Sequence, residues 1–197
     1  SPADMLITVD SGRLWRAEKE GIFQPVDSAL LSERIPAHLR HPEGEWFGLS
    51  TRARVIAHKK DMALPAGFGT YEALADEAFR GQVCMRSSGN IYNLSLMASL
   101  IDAHGVEAAE AWAKGVVANF ARTPQSNDTG QLKAVASGEC TITIANTYYL
   151  GRLMASTKPE DKALMANLEI VFPNQDGRGT HVNISGARLT KYAPNRE

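Results

Sequence analysis

Between residues 61 and 168 the chain repeats one unit: a short apolar, β-forming stretch, a polar turn, then a helix. Gln82 to Arg86 leads through Ser87-Ser88-Gly89-Asn90 into a helix over 92–104, and Cys140 to Ala145 leads through Asn146-Thr147 into one over 148–155. Alternation of this kind predicts an α/β domain, a mostly parallel sheet with helices on both faces. In such sheets ligands bind beyond the carboxyl ends of the strands, where the following helices begin. The two polar turns are therefore where binding residues are to be sought.

The remaining elements follow from caps and periodicity. Pro65, Gly67 and Gly69 mark a loop, and Thr70 caps a short helix over 71–80. The helix over 92–104 carries an apolar face at Leu94, Met97, Leu100 and Ile101 and stops at Gly105. A second helix starts at Val106 with Ala109, Trp112 and Val116 on one side, and 118–121 reads as a strand. Asn127 or Asp128 caps a helix that bears Leu132 and Val135 and ends at Gly138. Thr157-Lys158-Pro159-Glu160 has the capping-box pattern. Near the start, Met5–Val9 reads as a strand buried on both faces, followed by a helix with Leu14, Trp15 and Ala17 that Gly21 closes. Residues 22–42 read as loop with short helices, 45–60 as extended chain, and 169–172 and 181–185 as strands. The expected organisation is part of a first lobe over 1–50, a hinge crossing over 51–60 and a complete second lobe over 61–168. A second crossing over 169–185 and a return to the first lobe over 186–197 complete it. The chain opens straight into a strand and closes on Ala193-Pro194-Asn195-Arg196-Glu197, which reads as the start of a helix, so it looks truncated at both ends.

Composition narrows the function classes. Of 197 residues 44% are hydrophobic and 22% charged, the values of an ordinary globular chain rather than a disordered or fibrous one. The formal charge is −1, so nothing general draws the chain to nucleic acid or to an anionic membrane. No apolar run approaches the ~20 residues a membrane-spanning helix needs. The nucleophile-elbow, phosphate-loop and dinucleotide glycine motifs are missing from the sequence, and no acid, base and nucleophile converge, which argues against an enzyme. His38, His41, His58, His104 and His181 share no metal-ligand spacing. The two cysteines, Cys84 and Cys140, fit no CxxC metal motif and are either separate buried thiols or one disulfide.

The chemistry concentrates in tyrosine. Cys84 and Tyr92 are eight residues apart, and so are Cys140 and Tyr148; Tyr149 follows directly. If the cysteines lie on neighbouring strands, three of the five tyrosines converge at one sheet edge, beside helix N-termini. Phenolate oxygen is a hard anionic donor, and a phenol with a pKa near ~10 ionises at neutral pH only against a strong Lewis acid. Ferric iron satisfies both conditions. Calcium or magnesium would call for clustered carboxylates, which these turns lack. The same turns suit an anion: Ser87, Ser88 and Gly89 offer hydroxyls and backbone donors at a helix start, and Asn127 and Asn146 add amides. Simple helix capping by these turns is the plainer reading of each taken alone.

The segments from Cys84 to Asn93 and from Ala145 to Gly151 resemble the ferric-iron-binding periplasmic proteins of bacterial ABC transporters. Pro2-Ala3-Asp4, Ser50 to Val55 and Gly179 to Gly186 fit the same family, so the resemblance runs along essentially the whole chain. It implies a type II periplasmic binding protein fold, with two lobes joined by hinge strands. It implies Fe3+ as the ligand, delivery to an ABC permease, a periplasmic location after loss of a signal peptide, and a monomer. Tyr92, Tyr148 and Tyr149 match the family's metal ligands. Ser88, Gly89 and Asn146 match positions near a synergistic anion such as carbonate or phosphate, and Arg52 resembles a charge-balancing arginine. The cysteines resemble a pair that is disulfide-bonded in part of the family. Some members place a Glu ligand after the first strand, but here Val9 and Asp10 stand there, so the chain resembles the subgroup that relies on three tyrosines. Further family ligands come from an N-terminal segment this chain does not contain. Three other readings compete: a binding protein of the same fold for a small anion or organic solute, the effector domain of a transcription regulator, and, weakest, an enzyme.

Overall fold

The computed structural model describes residues 3–65 and 67–195. Pro2 and the Arg196-Glu197 end of the expected C-terminal helix lie outside the described residues. In chain order the elements are β1 (Met5–Val9), α1 (Ser11–Lys19), α2 (Ala29–Arg34), β2 (Phe47–Lys59), β3 (Val83–Cys84), α3 (Ile91–His104) and α4 (Val106–Ala118). Then follow α5 (Asp128–Ser137), β4 (Ile142–Asn146), α6 (Thr147–Met154), α7 (Pro159–Ala166), β5 (Leu168–Val171) and β6 (Val182–Leu189). The chain divides after Arg52 and after His181 into two compact units.

The first unit comprises Ser1–Arg52 and Val182–Glu197. Here β1 runs antiparallel to β6, with Met5 opposite Leu189 and Val9 opposite Ser185. The strand is not buried on both faces as expected: Met5 and Ile7 are exposed, because α1 covers only one side of the β1–β6 pair. Asp10 caps α1 by accepting from the Gly12 amide. Leu14 of α1 packs so closely that a Cβ on Gly186 of β6 would sit 2.8 Å from it. Asn195, rather than opening a helix, donates from its backbone and side chain to the Asp4 carboxylate.

The second unit is Ala53–His181. Its sheet is mixed rather than parallel-rich. β3 runs parallel to β4, but β2 runs antiparallel to β4, with Arg54 opposite Asn146, and antiparallel to β5, with Ile56 opposite Val171. Successive side chains of a strand point to opposite faces, and the sheet is covered on both. Val55, Ala57, Cys84 and Ala145 pack with Leu132 and Val135 of α5, Leu150 and Leu153 of α6 and Leu164 of α7. Ile56, Val83, Ile142 and Ile144 pack with Leu96 and Leu100 of α3, Val116 of α4, and Tyr71, Leu74 and Phe79.

Several local expectations change. Residues 71–80 form two 3-10 turns, Glu72–Ala75 and Glu77–Phe79, because Asp76 leaves the helical conformation and caps the second turn. They lie close to α4: a Cβ on Gly115 would be 2.7 Å from the Ala75 Cβ. The face of α3 that packs inward carries Leu96 and Leu100, while Leu94 and Ile101 are exposed. Residues 118–121 contribute one bridge, Phe120 to Val83, rather than a strand. The capping box before α7 does not form; Lys158 precedes Pro159 at the helix start with no side-chain cap. Asn127 is the residue that caps α5. Of the two readings of the cysteines, the disulfide holds: Cys84 and Cys140 are bonded, with Cα atoms 5.9 Å apart. Among the described residues no helix is long and apolar enough to cross a membrane.

Candidate functional site

The parallel pairing of β3 and β4 brings the starts of α3 and α6 to one edge of the sheet. Asn90 sets the start of α3 by accepting from the Tyr92 amide at 3.0 Å. Asn146, the last residue of β4, stands at the head of α6. Tyr92 lies in the first turn of α3, and Tyr148 and Tyr149 in the first turn of α6. The Tyr149 and Tyr92 hydroxyls lie near enough to that of Tyr148 to act on its ionisation, so three phenols from two helices come together. The Tyr148 and Tyr149 ring centroids are 4.4 Å apart, tilted by 33°. Tyr148 is 43% exposed, and the other two are half-buried. Burial of the Tyr148 hydroxyl, then its bonds to Tyr149 and Tyr92, push its pKa well above the phenol value, although Asn146 pulls the other way. In the absence of a cation Tyr148 therefore keeps its proton.

Beneath the phenols lies a buried ion network. The fully buried Asp128 carboxylate accepts from Arg54 at 2.7 Å, from Arg86 at 2.9 Å and from the Asn146 amide at 3.1 Å. Arg54 donates further to Asn93 at 2.7 Å and to the Asn146 side chain at 3.3 Å. Burial works against the charge on Arg86, but Asp128 and a hydrogen bond to Tyr149 outweigh it and raise its pKa. The guanidinium carbons of Arg86 and Arg54 lie 5.2 and 5.8 Å from the Tyr92 ring centroid, and that of Arg152 lies 5.7 Å from the Tyr149 centroid. Two arginines against one aspartate leave one positive charge under the cluster. Arg54, Arg86, Asp128 and Asn93 were not singled out from the sequence. The alternation of Arg52-Ala53-Arg54 along a strand was the available signal, since it puts Arg52 and Arg54 on one face.

The remaining sequence-derived residues fall as follows. Ser88 and Gly89 are exposed in the turn before α3, where the Gly89 amide donates to Ser87 Oγ at 3.2 Å. A Cβ on Gly89 would meet nothing closer than Ser87 Oγ at 3.7 Å, so packing within the chain does not require glycine there. Asn146 is buried, and its side chain donates to the Tyr148 hydroxyl at 3.4 Å while accepting from Arg54. Arg52 belongs to the first unit, where it donates to Asp10 at 3.2 Å and to Ser185 at 3.4 Å. Asp10, which stands near the place of the Glu ligand of some family members, is buried and also accepts from Asn183 at 3.0 Å. Among the described residues no group of three or more His, Cys, Asp or Glu side chains could hold a metal ion. What the second unit offers a metal is thus phenol oxygen, suited to a hard, strongly acidic cation.

Comparison with known proteins gives consistent matches. The chain is 57% identical over 197 residues to iron uptake protein A1 of Synechocystis, covering all of this chain and 55% of that protein. A Trichodesmium protein solved in complex with iron and citrate ligands superposes with a TM-score of 0.93 at 57% identity, over 99% of this chain and 62% of that one. The ferric binding protein from Campylobacter jejuni superposes with a TM-score of 0.94 at 44% identity, again over 99% and 62%. The chain thus spans little more than half the length of the relatives it matches. These neighbours share the type II periplasmic binding protein fold. The pattern of the bacterial extracellular solute-binding proteins matches residues 1–191, and the chain belongs to that family.

Proposed function

We propose that the protein captures Fe3+ in the periplasm and delivers it to an ABC permease, with Tyr92, Tyr148 and Tyr149 as ligands. The observation that carries this reading is the meeting of three phenol hydroxyls over a base of Arg54, Arg86 and Asp128. The names of the relatives, an iron uptake protein and ferric binding proteins, support it. Three phenolates neutralise Fe3+, and the arginine–aspartate base then leaves one positive charge for an anion to balance. Ser88 and Gly89 offer a hydroxyl and backbone donors to an anion such as carbonate or phosphate, and Asn146 orients Tyr148. Arg52 is the charge-balancing arginine of the same proposal. Residues 51–60 and 169–185 are its hinge crossings, and the function is transport rather than catalysis. Because Tyr148 holds its proton without metal, its ligation releases that proton, and affinity falls as pH falls. Loss of an outer partner of a metal ligand costs about 10–100-fold in affinity, so loss of two ligands should exceed 100-fold. The test is competition with citrate for Fe3+, comparing the full chain with its Tyr148→Phe, Tyr149→Phe variant. Equal affinities would refute the assignment.

A further inference from the structure

We propose that Tyr71 and Arg54 are positioning residues that tie the places where the chain enters and leaves the second unit to the phenol cluster. Tyr71 has no solvent exposure. Its hydroxyl donates to the Arg54 carbonyl and accepts from the His181 amide at 3.2 Å. The Arg54 amide in turn donates to the His181 carbonyl at 2.9 Å. Residue 54 lies just inside the start of the unit and residue 181 is its end, so one buried hydroxyl fastens both.

Tyr71 is itself held on several sides. Its amide donates to Asn174 at 3.1 Å, its carbonyl accepts from the Trp112 indole at 2.7 Å, and the Arg178 guanidinium carbon lies 5.6 Å from its ring centroid. The fixed point continues outward through the Arg54 side chain. That guanidinium reaches Asn93, the residue after Tyr92, and Asn146, the residue two before Tyr148, as well as Asp128. It is thus bonded to residues at the starts of both helices that carry the tyrosines. A displacement of the Arg54 backbone moves the anchor of both, and the Tyr71 hydroxyl restrains that displacement. In a site of converging hydroxyls, small displacements of the supporting shell alter ligand geometry.

The iron arm of the test rests on the function proposed above; the exchange arm does not. The full chain is compared with Tyr71→Phe, which keeps the ring and removes the hydroxyl. The control is Leu74→Ala, a fully buried neighbour in the same apolar cluster whose side chain makes no hydrogen bond. In metal-free protein, amide exchange at 90–94 and 146–150 should rise about tenfold in Tyr71→Phe and not in Leu74→Ala, at temperatures equally far below each Tm. With Fe3+ loaded, release to excess citrate should quicken about fivefold or more in Tyr71→Phe and change less than about twofold in the control. Equal exchange in the two variants overturns the positioning role whatever iron does. Faster exchange in Tyr71→Phe alone, with wild-type protein that takes up no Fe3+, upholds the positioning role and overturns the ferric reading instead.

Discussion

The two helices that carry the tyrosines start differently, although the first tyrosine of each lies eight residues beyond a cysteine. α3 begins in a turn whose caps are local: Asn90 caps the Tyr92 amide, Ser87 Oγ takes the Gly89 amide, and Ser88 and Gly89 stay exposed. At the head of α6, Asn146 makes no such cap. It is buried, its backbone amide goes to Asp128, and its side chain spans Arg54 and the Tyr148 hydroxyl. The start that places Tyr92 is capped by neighbouring residues and meets the network of β2, α5 and β4 through Asn93 and Arg54, whereas Asn146 at the start that places the other two lies inside that network. The α6 side should therefore be the more sensitive to substitution, and the α3 turn the more open to solvent and to an anion.

Substitutions can break that contrast. Asp128→Asn removes the buried charge that pairs Arg54 and Arg86 and should cost about 3–5 kcal/mol in urea unfolding. The disulfide lies upstream of both helices, so its loss should weaken the two sides together. The bond closes a loop with a sequence separation of 56 residues, and Cys84→Ser, Cys140→Ser should lower stability by about 4 kcal/mol. Asn146→Ala leaves the buried Arg54 guanidinium short of an acceptor and should cost about 2 kcal/mol. Asn90→Ala removes a single cap and should cost about 1 kcal/mol. If Asn90→Ala proved as damaging as Asn146→Ala, the contrast between a local and a networked start would be wrong.

The other end of α3 gives the smallest effect. Burial pushes the Glu72 carboxyl up, but hydrogen bonds from Asn174, Arg178 and His104, the last residue of α3, outweigh it and hold it at about 2, against 4.5 ordinarily. A carboxyl depressed in the folded state contributes stability that is complete above 4.5 and lost as pH falls toward 2. Glu72→Gln should therefore flatten the dependence of stability on pH in that window. Acid denaturation curves of the two proteins read this directly.

Much of this was legible in the chain because it is local. The strand, turn and helix units, a start at Asn127 or Asp128 and the Gly138 stop all rest on residues within a few positions of each other. The convergence of Tyr92 and Tyr148, with Tyr149 next to it, followed from equal spacing beyond two cysteines, of which Cys84 lies on β3 and Cys140 two residues before β4. Strand direction was not legible, because an apolar run reads the same whichever way its neighbour points; hence the antiparallel pairings of β2 were missed. The buried face of α3 was misassigned because Ile91, Leu94, Leu96, Met97, Leu100 and Ile101 surround the helix with apolar residues and blur the period. The ion network joins Arg54 to Asp128 across 74 residues, and a buried pair of that kind leaves no periodic trace. Asp128 looked like an alternative cap, and only the fold separates that role from the carboxylate it provides.

The central claim is that three phenol oxygens grip a ferric ion. Recording the visible absorbance of the metal-free full chain during titration with ferric citrate tests it most directly. The account predicts a tyrosinate-to-iron charge-transfer band that saturates at one Fe3+ per chain and is lost in the Tyr148→Phe, Tyr149→Phe variant. A wild-type protein that stays colourless, or a variant that keeps the band, contradicts it.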